Sequence, residues 1–234
     1  MFWMEGSLVR DGEFSLLLAE AGRRACNELI LGSDKVARIV NEEARKAKRD
    51  QILRGAAKEF ARVGFDQANV NFIAANAGIG TGTMYLYFAN KREIFIAMLQ
   101  AIAEQQLAAA RSALTLGRTL QEKIEALFLA FIHLATEDAD SFNVYMSTLY
   151  GVNRAFQQEA LGLLRGCVAL LRESLEESLP PQAKGRTDLE AAALLSLSAT
   201  ESLVLSAKVL GYSEQRLAEM APFIAASLLP GLED

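Results

Sequence analysis

Prolines stand only at 180, 181, 222 and 230, and apolar residues recur at three- and four-residue spacing through almost all of the chain. Proline ends helices by removing an amide donor and crowding the preceding turn, so a chain that withholds it for so long is free to be helical. No run alternates apolar and polar residues with strand formers, no heptad persists over several turns and no segment repeats. The pattern predicts an all-α fold.

Within this pattern the stretch Ile73 to Phe95, IAANAGIGTGTMYLYFANKREIF, is organised differently. Asn69 is a good N-cap for a helix that would bury Val70, Ile73, Ala74 and Ala77, with Ala74 small enough to admit a second helix closely. Gly78 follows where the chain must turn with positive φ, and Ile79 would plug the space between the helices. A second helix from Thr81 to about Phe88 turns Met84 and Phe88 inward and leaves Thr81, Thr83, Tyr85 and Tyr87 outward. Two helices joined by so sharp a turn are how a short helix is offered to the DNA major groove. Hydroxyls can donate to phosphate oxygens, and ring edges and methyl groups can touch a thymine methyl. The residues expected to meet DNA are Arg49, Asn69, Asn71, Thr81, Gly82, Thr83, Tyr85, Leu86, Tyr87 and Lys91.

A net charge of −5 is the wrong sign for such a partner until it is divided along the chain. Lys35 to Arg92 holds eleven Lys or Arg against five Asp or Glu, and the remainder thirteen against twenty-four. Phosphate attraction is therefore concentrated around the DNA reader, with RKAKR (Arg45 to Arg49) just before its first helix.

These residues resemble the tetracycline-repressor (TetR) family of transcriptional regulators. ILRGAAKEFARVGFDQANV (Ile52 to Val70) looks like that family's first helix, with Phe60, Gly64 and Phe65 as landmarks, and Lys91, Glu93 and Phe95 look like the start of its fourth. The match covers roughly 50 residues. The resemblance implies an N-terminal three-helix helix-turn-helix domain joined to a C-terminal helical ligand-binding and dimerisation domain. Three departures stand out: Gly80 where the family usually has a capping serine, Thr81 where a lysine is common and Leu86 at a frequently polar position. Phe72 also takes a usually polar place and calls for a cover. Base preference therefore does not carry over, while the docking mode does.

The domains expected are an N-terminal helical extension over 1–44, the DNA-binding domain over 45–92 and the ligand-binding and dimerisation domain over 93–234. In the extension, Glu13 to Leu31 has an amphipathic pattern ended by Gly32, and a long helix is expected from about 34 to 63. Later helices are expected near 91–115, 119–137, 140–149, 152–179, 187–211 and 213–229. Their boundaries rest on Gly117, Gly151, Pro180, Pro181, Gly185 and Gly211. The last two carry more apolar surface than a small domain needs, with Leu203 and Phe223 among it. In the resembled family such helices form a two-fold dimer interface, so a homodimer through them is implied.

Between Phe128 and Phe156 large aromatics with a few polar tips gather, as an apolar effector pocket between helices requires. The candidate ligand-binding residues are Phe128, Phe131, His133, Phe142, Tyr145, Met146, Tyr150 and Glu201, with Asn143 a further polar group there. Filling an ordinary core is the competing reading for each aromatic. An apolar or aromatic effector is favoured over a sugar or a metal ion.

Other chemistries find little support. Cys26 and Cys167 lie far apart among apolar neighbours and read as reduced buried thiols, and the single His133 has no other His or Cys within a helical turn to build a metal site. No phosphate loop, nucleophile elbow or Ser/His/Asp set occurs, so neither catalytic residues nor a cofactor are expected. Uncharged apolar stretches such as Ala191 to Thr200 are about half of a membrane span, and Glu5, Asp11 and Glu13 argue against a signal peptide. The sequence reads as a cytoplasmic, homodimeric repressor released from a double-stranded DNA operator by a small apolar effector. The reading from another class is a helical small-molecule carrier or interaction protein without specific DNA binding, suggested by the weak charge at Thr81 and Leu86.

Overall fold

The computed structural model describes residues 41–151, 154–179 and 188–228. The chain divides into two units, Met1–Asp50 and Gln51–Asp234, and of the first only residues 41–50, which are helical, are described. The expected helix at Glu13 to Leu31, the beginning of the helix at about 34, Cys26 and any cover that the extension gives Phe72 lie outside the described residues.

The second unit is helical wherever it is described apart from its turns, and no strand occurs among the described residues. Its elements are α1 (helical residues 51–67), α2 (Val70–Asn76), α3 (Thr81–Tyr85), α4 (Lys91–Leu116), α5 (Leu120–Glu137), α6 (Ala139–Tyr150), α7 (Gln157–Ser178), α8 (Leu189–Leu210) and α9 (Glu214–Leu228). The helix-turn-helix therefore shares one compact unit with the helices that follow it.

Local chemistry sets most of the boundaries. Asn90 accepts from the Glu93 amide to start α4. Thr119 and Glu122 form a reciprocal capping box at α5, each side chain accepting from the other's end of the turn. Asp188 caps α8, and Gly211, at φ +75°, ends it in the left-handed conformation. Two elements differ from expectation. α3 stops at Tyr85 rather than near Phe88; the chain continues in tight turns in which the Tyr87 and Phe88 amides still donate to the Met84 carbonyl. α7 starts at Gln157 rather than near 152, because Phe156 precedes it in a non-helical conformation with its ring buried.

In the core, α4 packs on α5, α6 and α7, while α5 also meets α6, α8 and α9. α8 packs on α7, α5 and α9, so its inner face, Ala193, Leu197, Thr200, Val204 and Ala207, is buried. By length and composition alone its 22 residues could cross a membrane, and 39% of its most apolar window is buried in the fold. Glu201 and Lys208 lie inside the helix, and Lys208 Nζ donates to the Ala135 carbonyl at 2.9 Å, pinning α8 to the end of α5.

Candidate functional site: DNA reader, aromatic seam and effector groove

The reader is built on one close approach. A Cβ on Gly55 of α1 would lie 2.7 Å from the Ala77 nitrogen and 2.9 Å from the Ile73 carbonyl oxygen, so only glycine lets α2 pack this near. Gln51 Nε2 donates to the Ala77 carbonyl across the same contact. Asn69 caps α2 by accepting from the Asn71 amide at 2.8 Å. Gly78 then turns at φ +63°, and Met84 and Phe88 are buried beneath α3. Glu59, only 1% exposed, holds the approach from α1. Its carboxylate accepts from Arg62 Nη2 at 3.0 and 2.9 Å, from Arg62 Nε at 3.1 Å and from the Asn69 amide at 3.3 Å.

Thr83, Tyr85 and Leu86 are exposed, as are Asn69, Asn71 and Gly82; Thr81, Tyr87 and Lys91 are half-buried. Thr81 Oγ1 donates to Asn71 Oδ1 at 3.0 Å, joining the starts of α2 and α3. Gly80 caps α3 without a side-chain bond. Lys91 Nζ donates to the carbonyls of Asp66 and Ala68 at 3.1 and 3.0 Å and sits 4.7 Å from the centre of the Phe65 ring. It therefore anchors the α1–α2 turn. Arg49 belongs to the first unit's helical residues. Phe72 is 57% exposed, with the Arg62 guanidinium 5.8 Å over its ring.

Four phenylalanines join the reader to the helical body. Phe60 and Phe95 meet edge-on at 4.8 Å, Phe65 and Phe95 at 5.2 Å, and Phe156 lies 4.6 Å from Phe65 and 4.5 Å from Phe95. Phe156, grouped with the pocket aromatics by sequence, belongs to this seam, with the Arg92 guanidinium 4.8 Å over its ring. A hollow of about 440 Å³ runs along the seam, bordered by Gly64, Val144, Ser147, Thr148 and Gly151.

A larger groove, about 610 Å³, opens between α6 and α8. It is lined by Asn143, Met146, Ser147, Tyr150 and Gly151 on one side and by Ser198, Glu201, Ser202 and Leu205 on the other. Glu201, 2% exposed, is the one charged residue in this lining. Tyr150 donates to its Oε2 at 2.8 Å and Tyr145 to its Oε1 at 3.5 Å. Burial raises the Glu201 pKa above the usual carboxylate range, opposed by these two hydrogen bonds. Burial, and then the Glu201 charge, likewise push both tyrosine hydroxyls up, so they remain donors, and push the Cys167 thiol up to about 12.

Of the residues predicted to receive an effector, Met146, Tyr150 and Glu201 line the groove and Tyr145 lies behind it, bonded to Glu201. Phe128, Phe131 and Phe142 fill the core and are not among the lining residues. His133 is on the surface, with Nδ1 3.8 Å from Glu214 Oε1, away from that lining. Its neighbours Phe131, Ile132 and Ala135 mark the buried face of α5, and His133 falls outside that periodic set. Sequence reasoning missed Ser198, Ser202 and Leu205, whose small or apolar side chains give no signal of a ligand. It missed Gly55 and Glu59 too, although a glycine inside a helix is a hint of close approach.

A helix, a glycine turn and a short outward helix, seamed to the helices that follow in the same unit, form a helix-turn-helix of the kind that DNA-binding proteins present to the major groove. The family model for bacterial regulatory proteins of the tetR family matches residues 52–98, from α1 into α4. Over these residues, the reader and the start of α4, the chain carries this family's DNA-binding pattern. The fatty acid metabolism regulator protein of Bacillus subtilis (strain 168) is 28% identical over 129 residues, 55% of this chain and 66% of that protein. The aligned stretches span about half to two thirds of the length of the first curated relatives. The structure of the fatty acid degradation regulator FadR from Bacillus halodurans superposes with a TM-score of 0.67 at 27% identity, covering 79% of this chain and 96% of that one. FadR from Bacillus subtilis in complex with stearoyl-CoA gives 0.63 at 23% identity, covering 78% and 98%, a likeness of fold alone.

Proposed function

We propose that this protein is a homodimeric, cytoplasmic transcriptional repressor that leaves its operator when a small effector with an apolar body enters the groove between α6 and α8. The division of labour falls near Lys91, with DNA reading before it and effector binding and dimerisation after it. The observation that carries this reading is that Ser147 and Gly151 border both the groove and the seam hollow. A ligand that displaces α6 must also press on Phe156 and, through it, on Phe65 and Phe95 beneath the reader. Its effect is limited to its differential affinity for the two arrangements, and ten-fold release needs about 1.4 kcal/mol of coupling.

A groove of about 610 Å³ has the size of a small-molecule site. That a relative is a fatty acid metabolism regulator supports an effector with a long apolar portion. Dimerisation is supported by the outer surface of α8 and α9, where Leu194, Leu195, Val209, Leu210 and Phe223 are exposed together on two adjacent helices. The uncharged outer face of α3 and the basic flanking sequence support DNA binding in which phosphate attraction comes from outside the recognition helix.

The test is fluorescence anisotropy on the intergenic DNA upstream of the protein's own coding sequence, with and without apolar ligands. Wild type should bind with strong salt dependence and be released by a groove ligand. Phe156→Ala should bind ligand yet change its operator affinity much less. Absence of binding to that DNA, or release that is untouched by Phe156→Ala, overturns the respective half of the proposal. Phe223→Asp, at a side chain 75% exposed in the single chain, should leave the fold intact and shift light scattering from dimer to monomer.

A further inference from the structure

The groove's chemistry is more specific than an apolar pocket requires. Its lining holds one charged group, the Glu201 carboxyl, and the other polar members, among them Asn143, Ser198 and Ser202, are neutral. Among the described residues no ion pair reaches Glu201. The titratable groups that face it are Tyr145 and Tyr150 from α6 and Cys167 from α7, none of them cationic. Two tyrosine hydroxyls donate to separate oxygens of the carboxyl, which is the pattern that suits an acceptor-only carboxylate. Each oxygen can accept a further bond, and a buried carboxylate without a cation is costly until something supplies one.

We propose that the groove takes a ligand bearing a protonated amine at one end of an apolar body, with Glu201 as its counter-charge and Tyr150 and Tyr145 holding the carboxylate in place. This rests on the reading of the groove as the effector site and names the chemical class of the effector. The ammonium supplies up to three donors, and the neutral hydroxyls of Ser198 and Ser202 line the same side for those that Glu201 does not take. Met146 and Leu205 offer the apolar body its surface. A fatty carboxylate would instead bring a second negative charge to a site with no cation, and a long-chain alcohol would offer one donor without charge.

The experiment is isothermal titration calorimetry of the full chain with decylamine, decanol and decanoate, each below its micelle-forming concentration at neutral pH. The expected result is one decylamine per chain, bound at least ten-fold more tightly than decanol, with decanoate weakest. In Glu201→Gln the preference for the amine over the alcohol should vanish while decanol binding is retained. That contrast separates the site from diffuse attraction of an amine to a chain of net charge −5. Decanoate or decanol binding as tightly as decylamine overturns the proposal, as does a Glu201→Gln protein that keeps the amine preference. Should that variant not fold, the wild-type ranking and stoichiometry decide alone. Operator anisotropy with the same three compounds keeps the two ideas apart. Tight decylamine binding that releases no DNA refutes the sensing role and leaves the site, whereas release by decanol or decanoate without amine preference refutes the site and leaves the sensing role.

Discussion

Two buried glutamates, Glu59 in the reader and Glu201 in the groove, meet very different company. Glu59 is bonded on both oxygens by Arg62 and also receives the Asn69 amide, so its charge is neutralised within the turn it organises. Among the described residues Glu201 receives two neutral hydroxyls and no cation. The difference teaches that burial alone does not assign a role to a carboxylate. A charge matched by its own fold holds structure, and one left unmatched beside an open groove is available for a ligand.

The largest effect expected from disturbing this contrast is in the reader. Gly55→Ala forces a methyl against the backbone of Ala77, which cannot rotate away, and should cost about 3 kcal/mol with loss of operator binding. Urea unfolding and anisotropy measure both, and a variant of wild-type stability would show that the α1–α2 approach is slack. Next comes the pair Glu59→Gln and Glu201→Gln, which should move stability in opposite directions at neutral pH. Glu59→Gln loses a pair whose arginine side chain is 60% exposed and therefore screened, so a cost of about 1–2 kcal/mol is expected.

Glu201 has the reverse sign. Its folded pKa is raised, so between the ordinary carboxylate value and that raised value the native protein keeps a proton that the unfolded chain has released. Wild-type stability therefore falls as pH climbs through this window, and Glu201→Gln lacks that fall. Urea midpoints at pH 4.5 and 7.5 should show Glu201→Gln gaining on wild type as pH rises. A difference that stays constant with pH would remove the unmatched charge from the argument.

The reader was more legible in sequence than the groove, and the reason is distance along the chain. Asn69, Gly78, Met84 and Phe88 act on neighbours within a few residues, so capping, turn chemistry and helical spacing suffice to place them. The contact of Gly55 with Ala77 spans two helices and left only a mid-helix glycine as its trace. At the groove, Tyr145 and Tyr150 reach Glu201 across 56 and 51 residues. Polarity and aromatic content marked them as candidates, but periodicity states only that a side chain faces inward. It does not say toward which of two inward surfaces, which is why Phe128, Phe131 and Phe142 were grouped with a pocket and lie in the core, and why Phe156 belongs to the seam.

The smallest expected effect is at Lys91, where the reader meets the body. Two of its three ammonium hydrogens are used by the Asp66 and Ala68 carbonyls, which leaves one direction for a phosphate oxygen. Lys91→Met keeps the aliphatic stem over Phe65 and removes only the ammonium. Two partly solvated hydrogen bonds are lost, so the expected destabilisation is about 1 kcal/mol. If the third hydrogen serves DNA, affinity falls alike for operator and random duplexes, and the slope of log affinity against log salt becomes shallower by about 0.9. Anisotropy over a salt series reads that slope independently of stability. A loss of stability with an unchanged slope would make Lys91 an anchor of the α1–α2 turn alone and shift the phosphate contacts to other basic residues.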